Sequence, residues 1–132
     1  MSGDARQASD NSRQQLGQLG EELAAEHLIR RGFQILQRNY RTRWGELDIV
    51  AFDGHTLCFA EVKTRRVFAG SALGPFASIG PRKQSQVRKM ARSWMAEHVD
   101  RRYARVIRCD AIGITFDRGG RLIALEHLEA AF

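Results

Sequence analysis

Gly45-Glu-Leu-Asp-Ile-Val-Ala-Phe52, the pair Asp53-Gly54, and then Thr56-Leu-Cys-Phe-Ala-Glu-Val-Lys63 form the stretch on which the fold turns. Two apolar, β-prone runs flank an Asp-Gly pair, a strong short-range signal for a β-hairpin. Side chains on a strand alternate between faces, so Glu61 and Lys63 share one face while Val62 takes the other. A two-residue loop at Asp53-Gly54 makes Asp48 a diagonal neighbour of Glu61, and a four-residue loop sets it directly opposite. Either register gathers Asp48, Glu61 and Lys63 on one face of the sheet.

Upstream of the hairpin, Leu16, Leu19, Gly20, Leu23, Ala24, His27 and Leu28 recur at steps of three and four, which predicts an amphipathic helix ending at Gly32. Residues 1–12 carry no apolar period and are expected to form a disordered tail, leaving 13–132 as a single domain. A short strand is predicted over 33–40. Downstream, 67–80 is rich in Gly, Ala and Ser and reads as a loop. Pro81 sits where a helix favours proline, and Val87, Met90, Ala91, Trp94, Met95 and His98 make the stripe of a second helix. Strands are predicted over 106–116 and 121–126, joined by Asp117-Arg-Gly-Gly120. Helix, three strands, helix, two strands packs most economically as one mixed central sheet flanked by helices, an α/β fold.

Composition narrows the function. The 132 residues are 43% hydrophobic and 27% charged, which suits a globular domain and excludes a disordered chain or a membrane span. No secretory signal core opens the chain, and Cys58 and Cys109 stand apart within apolar runs, a pattern that fits a reducing cytoplasm. The net charge is +6, and the sequence pI is about 10.1. Between Arg82 and Arg108 cations outnumber acids nine to two, whereas several acids fall between Glu21 and Glu61. An acidic site facing a basic surface suits a polyanion held against a metal, although arginine-rich helices are also commonly just solvated.

Paired carboxylates on a largely apolar strand repel unless a cation lies between them, and oxygen ligands suit Mg²⁺ or Mn²⁺. Asp48 and Glu61 are therefore the candidate metal ligands. Lys63 is the candidate for orienting water and stabilising charge on phosphorus. The competing reading, a surface ion pair, is disfavoured by the neighbours Leu57, Phe59, Ala60 and Val62, which mark a central strand where lone charges are costly. Glu46 shares the Asp48 face and could replace or assist it, though it lies nearer the strand start. Arg41, Arg43, Arg65 and Arg66 flank the acidic strands as candidate phosphate contacts, with solvated strand ends as the alternative. Arg82, Arg88, Lys89 and Arg92 lie off the apolar stripe of the second helix, facing outward as a nucleic-acid-binding surface. Arg108 and Asp110 read as a structural ion pair, and Tyr40, Trp44 and Phe52 could stack on bases, although aromatics this close to strands are more often core. The four histidines show no ligand spacing, the cysteines no zinc pattern, and the glycines no phosphate loop.

Asp48 followed across a hairpin by Glu61-Val-Lys63 resembles the PD-(D/E)xK site of restriction-endonuclease-like nucleases. The chain more closely resembles the YraN family of small bacterial proteins. The resemblance is carried by Gly17-Gln-Leu-Gly-Glu21 with Ala24 and Leu28, Arg38-Asn-Tyr-Arg41, Gly45-Glu-Leu-Asp-Ile-Val-Ala51, Phe59-Ala-Glu-Val-Lys-Thr-Arg65 and Arg108-Cys-Asp110. It implies a restriction-endonuclease-like fold with a core like that of archaeal Holliday-junction resolvases. It also implies that a glutamate from the first helix joins the metal site, a role that falls on Glu21. On helical geometry alone Glu21 lies at the flank of the apolar stripe, where an acid can equally turn to solvent. The superfamily's proline before the first aspartate is absent, and Glu46-Leu47 stand there instead.

The expectation is thus a metal-dependent nuclease acting on nucleic acid, DNA ahead of RNA, with no membrane partner. Glu21, Asp48, Glu61 and Lys63 form its catalytic set. Concerted cutting of two strands would take two copies, which brings in a homodimer. The rivals are a catalytically silent nucleic-acid-binding module and a protein-binding adaptor on the same fold.

Overall fold

In the computed structural model the hairpin closes in the four-residue register. Strand β2 (Gly45–Phe52) pairs antiparallel with β3 (Thr56–Arg66) from Phe52 opposite Leu57 to Ile49 opposite Ala60. Asp53 shapes the loop by accepting the backbone N–H groups of His55 at 2.9 Å and Thr56 at 2.6 Å through one carboxylate oxygen. Gly54 takes a φ of 93°, a left-handed conformation that disfavours a side chain. The structure describes residues 2–67, 76, 79–98, 100 and 104–132, and the side chains from residue 11 onward. Much of the expected loop at 67–80, together with Arg101 and Arg102, lies outside the described residues.

Five strands form one sheet in the order β1-β2-β3-β4-β5, with β1 at Gln34–Thr42, β4 at Val106–Phe116 and β5 at Leu122–Leu128. All neighbours are antiparallel except β3 and β4, whose parallel pairing runs from Thr56 opposite Val106 to Arg66 opposite Phe116. Parallel neighbours need a crossover, and helix α2 (Pro81–Glu97) lies on the connection. Its buried residues Val87, Met90, Ala91 and Trp94 pack with Tyr40, Leu47, Val50, Leu57 and Phe59 on one face of the sheet. On the other face Ala24, Ala25 and Leu28 of helix α1 (Ser2–Arg30) pack with Ile49, Ala51, Cys58, Ala60, Ile112 and Ile114. Neither described helix is long and apolar enough to cross a membrane.

Two differences from the sequence reading concern α1. The helix starts at Ser2 rather than after an unstructured 1–12, continuing through Ala, Arg and Gln residues of good helix propensity. Leu19, expected on the apolar stripe, is 44% exposed, and Gly20 is buried. The reason is the route of the contact. A Cβ on Gly20 would overlap the Thr64 hydroxyl on β3, so glycine sets how closely α1 lies on the sheet.

A second local break matters more for function. Ile49 and Ala51 pack beneath α1, yet Leu47 packs with the α2 residues, so alternation slips across Asp48. On the neighbouring strand Arg38 pairs with Ile49 and Tyr40 with Leu47, which leaves Asn39, at φ 54°, beside Asp48. A left-handed residue there twists the ladder and redirects the side chains around it.

If Gly20 sets the approach of α1, Gly20→Val should lower stability by about 1–3 kcal/mol through overpacking. Gly17 on the same helix has nothing within 4 Å of a Cβ, so Gly17→Val should change stability by less than about 0.5 kcal/mol. Urea midpoints of both variants check the contrast.

Candidate metal centre

Beside the break at Asp48, two carboxylates of one strand meet a third from helix α1. Glu21 from α1 and Glu46 and Asp48 from β2 place one carboxylate oxygen each within 4.8 Å of one another, all three half-buried. Glu21 gets there because its neighbour Gly20 is pressed onto Thr64 of β3. Glu46 gets there at the mouth of β2, where it pairs across the ladder with Arg41 and takes that guanidinium at 3.3 Å. Asp48 is oriented by the Val62 N–H, which donates to its Oδ2 at 2.8 Å across the open end of the hairpin. A groove of about 640 Å³, lined by Glu21, Glu22, Arg38 and Asn39 among others, opens beside the cluster.

The electrostatics follow from this crowding. Burial and then the nearby Glu61 charge push the Asp48 carboxyl up to about 7, against the pull of the Val62 hydrogen bond. Glu21 is likewise raised, first by partial burial and then by Glu46. Glu61 itself is buried and turned toward α2, where Lys83 Nζ meets its Oε1 at 3.0 Å. Its Oε2 is buried with no hydrogen-bond partner among the described residues. An all-oxygen donor set with an orphaned buried carboxylate oxygen next to it fits a hard divalent ion of the Mg²⁺ or Mn²⁺ kind.

Of the candidate catalytic residues, then, Glu21 and Asp48 meet in the cluster. Glu61 is electrostatically coupled to both, though the three oxygens within 4.8 Å come from Glu21, Glu46 and Asp48. Lys63 lies half-buried two residues beyond Glu61 on β3. Glu46 enters more centrally than its place near the strand start suggested. The Lys83 partnership is a finding whose sequence signal, a lysine in the first turn after Pro81, is faint.

The arginines divide. Arg41 and Arg43 are exposed beside the acidic strand. Arg65 Nε donates to Thr115 Oγ1 at 3.3 Å and Arg66 Nη2 to Ser12 Oγ at 3.2 Å, so both are partly committed within the fold. Arg82, Arg88, Lys89 and Arg92 are exposed on α2, opposite its buried stripe. Trp44, expected in the core, is 44% exposed, whereas Tyr40 is 5% exposed and bonds Ser93 and Glu97 at 3.0 Å each.

The Arg108–Asp110 pair forms as expected, at 2.9 Å, but within a larger network. His127 Nε2 meets Asp110 Oδ2 at 2.7 Å, and His127 Nδ1 meets His27 Nε2 at 2.9 Å. Residues 100 apart in sequence offer no spacing by which this contact could be foreseen.

A mixed five-stranded sheet with helices on both faces, its acidic cluster set at the open end of the β2–β3 hairpin, defines an α/β domain of the restriction-endonuclease-like class. Within that class the chain belongs to Uncharacterised protein family UPF0102, the YraN family, whose profile matches residues 20–114. A UPF0102 protein of Acidothermus cellulolyticus is 53% identical over 89 residues, covering 67% of this chain and 65% of that one. Those of Anaeromyxobacter dehalogenans and Pelotomaculum thermopropionicum are 43% and 42% identical, each over 92% of this chain and over 87% and 98% of their own lengths.

The raised Asp48 carboxyl has a testable sign. Its ordinary value is 3.8 and its folded value about 7, so between these the native state holds a proton that the unfolded chain releases. Its contribution to stability therefore falls as pH rises through this window. Asn at this position can still accept the Val62 N–H without acquiring charge. In metal-free buffer the stability gain of Asp48→Asn over wild type should widen by on the order of 2 kcal/mol from pH 5 to pH 8. Urea unfolding at both pH values checks this, and a gap that stays constant would mean that Asp48 ionises normally.

Proposed function

We infer that the protein is a metal-dependent nuclease that hydrolyses phosphodiester bonds, with DNA ahead of RNA as its substrate. The observation that carries this reading is the meeting of Glu21, Glu46 and Asp48 within 4.8 Å, beside the buried Glu61 and on the strand pair that bears Lys63. Glu21, Glu46 and Asp48 would hold Mg²⁺ or Mn²⁺, with Glu61 behind them. Such an ion supplies Lewis-acid charge beside the scissile phosphate and makes water a competent nucleophile at neutral pH.

The chain's own groups account for the rest. The Lys63 ammonium would orient the attacking water and meet charge that grows on the phosphate oxygens in the transition state. Exposed Arg41 and Arg43, and the α2 face bearing Arg82, Arg88, Lys89 and Arg92, supply phosphate contacts that position without reading sequence. Arg65 and Arg66 would contribute only after leaving Thr115 and Ser12. Concerted cutting of both strands of a duplex would require two copies of this single-site chain.

One observation favours the second reading, a nucleic-acid-binding module without turnover. Lys83 already compensates Glu61 at 3.0 Å, so part of the acidic charge is balanced from within the chain. The two readings part on chemistry. Cleavage of single-stranded, branched and duplex DNA and RNA should require Mg²⁺ or Mn²⁺ and cease in EDTA. Lys63→Ala should retain Mn²⁺ affinity within about twofold while cleaving at least about 100-fold more slowly, because the ammonium acts on the transition state. Wild-type cleavage by that variant would remove Lys63 from the mechanism, and failure of the wild type to cleave any substrate would leave the binding module.

A further inference from the structure

The turn between β1 and β2 holds an indole out to solvent. Trp44 is 44% exposed, while the other tryptophan, Trp94, is 2% exposed in the core. The Arg43 guanidinium lies 4.6 Å and the Lys89 ammonium 5.1 Å from the Trp44 ring centroid. Both are within range of attraction by an aromatic face. Next to the ring a groove of about 380 Å³ runs along α2, lined by Trp44, Arg82, Ser85, Gln86 and Lys89.

The ring's mounting is fixed. The Trp44 N–H donates to Thr42 Oγ1 at 3.0 Å, and the Thr42 hydroxyl reaches Met90 Sδ on α2 at 2.9 Å. The Gln86 side-chain amide donates to the Trp44 carbonyl. Gly45 follows at φ 134°, where any side chain would be strained and a Cβ would overlap that same amide. Four residues of three elements, Thr42 of β1, Gly45 of β2 and Gln86 and Met90 of α2, thus fix the backbone that carries the indole, so little backbone ordering remains to be done when a ligand arrives.

An aromatic ring with two cations held over it matches one ligand chemistry closely. An unpaired base takes a place over the ring that a cation now holds, and the phosphates on either side of it meet the displaced cation together with the remaining ones of Arg43, Arg82 and Lys89. A base within a duplex has its faces already covered by its neighbours. An acidic peptide would satisfy the cations and leave the indole wet. The strand from Trp44 to Asp48 advances about 13 Å at about 3.3 Å per residue, the span of roughly four stacked nucleotides at about 3.4 Å each.

We propose that Trp44 is a stacking platform for an unpaired base, so that the protein engages single-stranded nucleic acid at the β1–β2 turn and directs it along β2 toward the acidic cluster. This rests on the reading of the protein as a nucleic-acid-processing enzyme and names the form of nucleic acid it grips. The test is binding of the full chain to fluorescein-labelled oligo-dT and to a blunt DNA duplex of equal length, by anisotropy in EDTA. The wild type should bind oligo-dT more tightly than the duplex. Trp44→Ala should weaken oligo-dT binding by roughly 5- to 150-fold, the range measured for removal of one stacked base contact, and alter duplex binding by less than about twofold. Trp44→Phe should retain most of the single-strand affinity. Unchanged oligo-dT affinity in Trp44→Ala, or equal losses on both ligands, would overturn the platform and leave the nuclease reading standing. A wild type that binds neither ligand would overturn both. Since EDTA removes the chemistry, a protein that never cleaves still returns one of these outcomes. The exposed position of Trp44 keeps the variants folded, and thermal melting confirms that before binding is measured.

Discussion

Carboxylates that repel one another stay together in a small, half-buried volume only if the rest of the fold holds them there. Here the holding force is the sheet core. Apolar side chains on both faces of β2 and β3 fix the hairpin, and that leaves Glu46 and Asp48 where the ladder slips beside Asn39. The bare Cα of Gly20 lets α1 settle on Thr64, which carries Glu21 into the same space. The cost appears as the raised Asp48 and Glu21 carboxyls. A fold that accumulates such a cost at one point has a place for positive charge, and no described ammonium or guanidinium group neutralises Asp48 by direct contact.

The contrast with Asp110 shows that burial alone does not make a site. Asp110 is fully buried, and burial by itself would raise its carboxyl. Bonds from His127, Arg108, the Ala130 N–H and the Cys58 thiol overcome that and hold it down at about 2. This aspartate is a saturated acceptor that ties β4 to β5, with His127 reaching on to α1 through His27. Its stabilising effect is present above the ordinary carboxyl range and is lost as pH falls toward 2. Asp48 works in the opposite sense: Asp110 is held by four groups that favour its charge, whereas at Asp48 burial and the neighbouring acids outweigh the Val62 N–H.

What could be read from residues alone was whatever depends on period and local turn chemistry. The Asp53-Gly54 turn, the strand pattern around it, and the Val87/Met90/Ala91/Trp94 stripe follow from alternation, helical spacing and glycine's tolerance of positive φ. The choice between two hairpin registers needed the structure. So did the slip across Asp48, because it depends on Asn39 in a neighbouring strand. The same holds for Leu19, which turns outward because Gly20, not a leucine, makes the contact with β3. Trp44 looked like core because aromatics next to strands usually are; its exposure comes from the tight turn at Gly45 and the pinning to Gln86. The His27–His127 contact joins the first helix to the last strand, and only the closed sheet brings them together.

The proposed chemistry depends on the acidic cluster binding a hard divalent ion. Calorimetric titration of the metal-free protein with Mn²⁺ tests it most directly, with Glu21→Gln, Glu46→Gln and Asp48→Asn alongside. The wild type should bind Mn²⁺ saturably, with affinity falling at least about tenfold in each variant, a loss of about 1.4 kcal/mol or more. No saturable binding by the wild type, or equal binding by all four proteins, would contradict it.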